Sequence, residues 1–388
     1  MRRSCWPSSS RRLGDRRRCA VRLGRVPPRS RRTVEIESLD DFDAQVATGA
    51  SSMGGWRVQG VDLKARTPQL LRLQPANAIF LGSAVSDEAE AHLRSGGALL
   101  FPTIPALPFD PYRAEVYTPE ELYSGIGESG YDETPDALVY GWTLESDDDL
   151  SRHLGRALHD HAIDDALEEL LGDKQVAGVM GGHAWERTDP RYADAARFGR
   201  AAVERGFYVA SGGGPGAMEA ANLGAYLPAD SAIDEALTTL AAVPTFKPSV
   251  TAWARAAFDV RRRWPDGRDS LGIPTWFYGH EPPNVFASSI AKYFQNSLRE
   301  DTLLRHCNAG IVFLPGAAGT VQEIFQDACE NYYAAEHALT PMVLVGKRYW
   351  TEELPAWPLL ERLAADRPMA TALHLVDDVE DAVSLMTG

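Results

Sequence analysis

From residue 175 onward the chain alternates short apolar runs with amphipathic stretches of helical period. The runs fall at residues 176–180, 207–210, 239–243, 309–314, 342–345 and 373–376. Runs of this kind read as strands buried on both faces, and their alternation with helices predicts an α/β fold, a Rossmann-like doubly wound parallel sheet. In such sheets ligands bind at the carboxyl ends of the strands, where loops lead into helices. The glycines of this chain cluster at those places.

Upstream, residues 34–145 read as a small N-terminal α/β accessory unit, with apolar runs at 78–81 and 98–101 separated by a polar, helix-like stretch at 87–94. A proline-rich segment at 102–112 then breaks the pattern. The acidic run at 145–149 precedes a helix predicted over about 150–171, where its charges suit the positive end of the helix dipole. The expected organisation is an arginine-rich arm over 1–33, the accessory unit over 34–145 and a nucleotide-binding catalytic domain over 146–388.

Charge sharpens this division. The net charge of the 388 residues is −15, but the first 32 hold 12 arginines and one acid, Asp15, so the rest of the chain carries −26. So acidic a body repels phosphate backbones, which argues against a nucleic-acid partner. The arm lacks the apolar core of a secretory signal and is expected to be a disordered extension, of the kind a start codon placed too far upstream would add. No apolar stretch is long enough to cross a membrane as a helix. The four cysteines show neither CxxC spacing nor a disulfide framework, which fits a reducing cytoplasm.

Three glycine clusters carry the candidate chemistry. The first, Gly181-Gly182-His183, follows the run at 176–180, and His183 is either a ligand contact or a polar cap of the loop. The second, Ser211-Gly212-Gly213-Gly214-Pro215-Gly216-Ala217-Met218-Glu219, joins a strand to a helix, so its backbone N–H groups suit an anion, although a bare tight turn would use the same glycines. The third, Pro315-Gly316-Ala317-Ala318-Gly319-Thr320-Val321-Gln322-Glu323, opens a helix predicted to reach about Tyr333. Thr320 and adjacent N–H groups could cradle a phosphate while Glu323, one turn on, faces what the phosphate carries. The spacing T-x-x-E equally fits a capping box in which Glu323 reaches back to the helix start.

Between the last two clusters, Glu281-Pro282-Pro283-Asn284 is read as starting a helix that ends near Cys307 and bears Arg299. Arginine offers a planar fork for phosphate, but Arg299 could instead pair with its neighbours Glu300 or Asp301. His153, His159, His161 and Asp160 sit on a helix at spacings that do not gather metal ligands, so a solvated helix and no metal are expected.

PGAAGTVQE resembles the PGGxGTxxE motif of the LOG-type phosphoribohydrolases, often labelled "lysine decarboxylase-like", and GGGPGAMEA resembles their second glycine-rich motif. With GGH and EPPN added, the set is most similar to bacterial nucleotide 5′-monophosphate nucleosidases over roughly residues 172–350. The resemblance implies hydrolysis of a nucleoside 5′-monophosphate to free base and ribose 5-phosphate without a cofactor. It implies Glu323 and Arg299 as catalytic residues. Gly181, Gly182, His183, Gly212, Gly213, Gly214, Gly216, Met218, Glu219, Asn284, Gly316, Ala317, Ala318, Gly319 and Thr320 would bind the nucleotide, in a homodimer or higher homo-oligomer. Ala317 stands where the motif has its second glycine, and Glu300 stands where such proteins usually carry lysine. A non-catalytic carrier of a nucleotide-like cofactor is the main alternative. A pyridoxal-phosphate decarboxylase would need a lysine, and Lys64, Lys174, Lys247, Lys292 and Lys347 lie outside the glycine motifs.

Overall fold

Two sheets, parallel throughout, organise the computed structural model, which describes residues 33–105, 107–145, 149–277 and 281–386. The arginine-rich arm lies outside the described residues, apart from Thr33. The smaller sheet runs β1 (Val34–Ile36), β2 (Trp56–Gln59), β3 (Ile79–Leu81), β4 (Leu99–Phe101) in spatial order, with helices Leu39–Ala47 and Asp87–Ser95 between strands. Ile36, Phe42, Val58, Phe80 and Leu93 form its own apolar core.

The larger sheet contains β5 (Val176–Met180), β6 (Tyr208–Ser211), β7 (Leu271–Gly272), β8 (Ser289–Ile290), β9 (Gly310–Phe313), β10 (Met342–Val345) and β11 (Leu373–Val376). Their spatial order is β11-β10-β9-β5-β6-β7-β8. Every residue of β5, β9 and β10 is buried, as the apolar runs require, whereas the edge strand β11 is only half-buried. Each fully buried valine or phenylalanine here contributes roughly 1.5–3 kcal/mol. The chain leaves β5 toward β6 on one side and returns as β9 on the other, so the order reverses at β5 and opens a crevice at the strands' carboxyl ends. All ten residues of helix Ala217–Tyr226 are buried, which fixes its N-terminus at that crevice.

Three expectations are corrected. Residues 239–243 are not a strand: helix Asp230–Leu240 runs into a turn there, and its buried Ala232, Ile233, Ala236 and Leu240 follow a helical period. The helix bearing Arg299 starts at Asn296, not Glu281: Pro283 disfavours the helical conformation at Pro282, Asn284 N is taken by Gly213 O, and the chain first passes through β8. Within the segment expected to complete the accessory unit, Tyr117, Leu122, Tyr123, Tyr131 and Trp142 pack into the larger core, and Tyr117 bridges Ile290 beside β8.

Candidate functional site

The crevice holds a cavity of about 420 Å³, within the roughly 300–1,000 Å³ typical of small-molecule sites. Three loops are tied together around it. The N–H of Gly182, after β5, donates to Pro315 O after β9 (3.2 Å), and Ala217 N donates to Gly182 O (3.1 Å). Gly216 has φ +71°, and a Cβ there would stand 2.4 Å from Gly182 O, so only glycine permits this closure. A Cβ at Gly212 would lie 2.3 Å from Nη2 of Arg299.

Beneath the second loop, Ser211 Oγ donates to Asn222 Oδ1 (2.6 Å) and accepts from Gly213 N (3.0 Å). Asn284 Nδ2 donates to Gly214 O (3.3 Å) and Asn222 Oδ1 (3.0 Å), and Asn284 N donates to Gly213 O (2.7 Å). Asn222 in turn donates to Ser270 Oγ (3.0 Å). This buried amide network holds the glycine turn open, and its members Asn222 and Ser270 belong to none of the candidate motifs. An asparagine amid the small apolar residues of helix Ala217–Tyr226 was the available signal.

Two helices point their starts into this region, Ala217–Tyr226 behind Gly216 and Ala318–Tyr333 behind Ala317. Among the described residues no side chain caps either one. The first-turn N–H groups of a helix have no intrahelical acceptor, and with the dipole they favour an anion. Ala317 has φ −101° and ψ −142°, outside the left-handed region that demands glycine.

Arg299 and Glu323 both line the cavity and meet in its wall. Nη1 of Arg299 donates to Glu323 Oε1 (2.8 Å), while Nε donates to Ile273 O (2.7 Å) and Nη2 to Gly212 O (3.4 Å). The pairing with Glu300 or Asp301 is not the arrangement adopted. The capping box is not formed either: Ala317 is the N-cap, Thr320 lies inside the first turn, and Glu323 turns to Arg299. Burial pushes the Glu323 carboxyl above the usual range, Arg299 opposes this, and the nearby Glu300 and Glu281 add to the rise.

Gly181, Gly182, His183, Gly212, Gly214, Met218, Arg299, Ala317, Ala318, Gly319, Thr320 and Glu323 all line the cavity. Five expected residues do not. Gly213 and Gly216 shape the turn behind it, and Asn284 belongs to the amide network. The carbonyl of Gly316 accepts from Tyr349 Oη (2.7 Å). Glu219 is buried under the helix, where its oxygens accept from Arg187 Nη2 (2.5 Å) and Nε (3.1 Å). An ion pair this deep is held in place because losing either partner strands a buried charge.

Thr275, Glu281, Asn296, Glu300 and Gln322 also line the cavity and were not expected there. Glu281 stands 3.3 Å from His183 at the rim. The expectation of a solvated helix at 153–161 is corrected in part: His159 and Asp160 are fully buried, His159 against Tyr117 Oη (2.7 Å) and amid Phe109, Trp276 and Phe294. Among the described residues no acidic, histidine or cysteine cluster could hold a metal ion, and no helix is long and apolar enough to cross a membrane.

No family model matches the chain, and no curated protein does. Among solved structures, the molybdenum cofactor binding protein from the phototrophic bacterium Rippkaea orientalis aligns over 55% of this chain and 96% of its own, at 15% identity and a TM-score of 0.34. Two structures of the molybdenum cofactor carrier protein from Chlamydomonas reinhardtii align over 54% of this chain and 94% of theirs, at 18% and 19% identity, each with a TM-score of 0.32.

Proposed function

We propose that this chain hydrolyses the N-glycosidic bond of nucleoside 5′-monophosphates, giving free base and ribose 5-phosphate. The observation that carries the reading is the Arg299–Glu323 pair, 2.8 Å apart, in a cavity shared by two uncapped helix starts. The 5′-phosphate would bind at those starts, its binding energy holding the sugar in reactive geometry. Breaking the bond from C1′ to the base builds positive charge on the ribose, and an ionised Glu323 beneath it stabilises that charge. Arg299 aims the buried carboxyl and opposes the rise that burial imposes on it, which favours the ionised form. Water's oxygen adds to C1′ as the bond's electron pair leaves with the base nitrogen; Glu323 takes the water's proton, and the base nitrogen gains one from solvent in exchange.

The test is base release, followed by chromatography, from purified protein with AMP, GMP, CMP and UMP. Nucleotide bound but returned intact by every member of the panel would favour the carrier reading instead.

A further inference from the structure

We infer that Glu300 is a specificity-determining residue that selects a nucleotide whose base is positively charged, an N-ribosylated pyridinium ring. This rests on the hydrolase reading above and narrows its substrate.

Among the described lining residues three carboxylates, Glu281, Glu300 and Glu323, face one guanidinium, Arg299. The charge of Arg299 is engaged by Glu323 at 2.8 Å, and Glu281 has His183 at 3.3 Å. Glu300 is different. It is only 5% exposed, and its described partners are two neutral amides, Asn296 Nδ2 at 2.6 Å on Oε1 and Gln322 Nε2 on Oε2. The amides fix the carboxylate in one orientation without cancelling its charge, and each oxygen keeps a further lone pair. Among the described residues no cation stands within ion-pairing distance of this carboxylate, although Arg156 and His153 line a neighbouring depression that it also borders, and inside a pocket its attraction for a cationic ligand is far stronger than in solution.

That cation is not the phosphate end of the ligand, which is an anion and suits the helix starts. It is therefore the base. A pyridinium nucleotide also simplifies the chemistry. A neutral base must gain a proton as it leaves, whereas the pyridinium nitrogen simply keeps the electron pair of the broken bond and departs neutral. Water's oxygen forms the new bond to C1′, and its proton passes to Glu323 and then to solvent.

The experiment compares nicotinamide mononucleotide, nicotinic acid mononucleotide and UMP. The intact chain should turn over nicotinamide mononucleotide with a kcat/KM at least about tenfold above UMP, and Glu300→Gln should shrink that ratio by about tenfold. Nicotinic acid mononucleotide, whose extra carboxylate meets Glu300, should be the poorer pyridinium substrate. UMP hydrolysed as well as nicotinamide mononucleotide, or a ratio unmoved by Glu300→Gln, overturns the inference and leaves the hydrolase reading standing. If nothing is hydrolysed the hydrolase reading fails, and calorimetry decides the role of Glu300. Tighter binding of nicotinamide mononucleotide than of UMP, lost in Glu300→Gln, supports it; equal binding overturns it.

Discussion

The carboxylate of Asp160 caps a helix it does not belong to: it accepts the N–H of Gln295, the N-cap of helix Asn296–His306, at 2.9 Å. Its other oxygen takes Phe294 N at 2.9 Å. Among the described residues that helix has no side-chain cap of its own, yet it carries Asn296, Arg299 and Glu300 into the cavity. Asp164, one turn further along helix Leu150–Leu171, ties the same element through Tyr293 Oη (2.7 Å) and Thr302 Oγ1 (3.2 Å). Asp160→Ala leaves two N–H groups at this junction unsatisfied and should cost about 2–3 kcal/mol of stability in denaturant titration. Asp160→Asn, which keeps one acceptor, should cost roughly half as much. Equal and negligible losses would show that the helix start is held by something else.

Glu323→Gln keeps the shape of the side chain and removes the charge that the proposed mechanism needs. Base release should fall by about a hundredfold or more, while nucleotide affinity measured by calorimetry changes little. Undiminished turnover in this variant would reduce Glu323 to a partner of Arg299.

The acid limb of the kcat/KM profile should report Glu323. Its carboxyl lies above the usual range because of burial, so the ionised, active form appears only as pH rises through that raised value. Arg299 works against the rise. Arg299→Gln should therefore move the limb to higher pH as well as lowering the plateau, and a limb that stays put or moves down would contradict the pairing.

The sequence disclosed the central strands because β5, β9 and β10 are buried on both faces and therefore read as unbroken apolar runs. It hid β7 and β8, which are two residues each and too short to show a period. The glycine loops were legible because Gly213 and Gly216 adopt positive φ and a Cβ at Gly181, Gly212 or Gly316 would crowd its neighbours, whereas Gly319 has open space. Glu300 was not: a glutamate beside an arginine looks like a solvent-facing pair, and only the fold shows that Arg299 turns to Glu323 and Glu300 to two amides. His159 and Asp160 escaped for a related reason: the rings around His159 come from Phe109, Tyr117 and Phe294, and the donors to Asp160 from Phe294 and Gln295, all distant in the chain.

Where β1 meets helix Leu150–Leu171, Glu35 shares a proton with Glu169, and this contact, burial and the nearby Asp165 push its carboxyl up to about 7 against the opposing Arg57. A carboxyl raised in the folded state binds more protons there than in the unfolded chain. The stability it contributes is complete below its ordinary value of 4.5 and is lost as pH rises through about 7. Tm should accordingly drop between pH 5 and pH 8, and Glu169→Gln, whose amide can donate without a shared proton, should flatten that drop. The same drop in the variant would locate the titration elsewhere.

The two glycine turns give the last expectation. If the 5′-phosphate sits at the starts of helices Ala217–Tyr226 and Ala318–Tyr333, a nucleoside leaves those N–H groups without their anion and loses the anchor that orients its sugar. Adenosine should then be hydrolysed at least about a hundredfold more slowly than AMP, in kcat as well as in kcat/KM, because binding energy from a remote group is spent on positioning. Gly216→Ala should mimic that loss with AMP, since a Cβ 2.4 Å from Gly182 O forces the loop away from the phosphate. Its thermal midpoint, measured alongside, separates a displaced loop from an unfolded chain. Equal turnover of AMP and adenosine would mean that neither turn grips a phosphate.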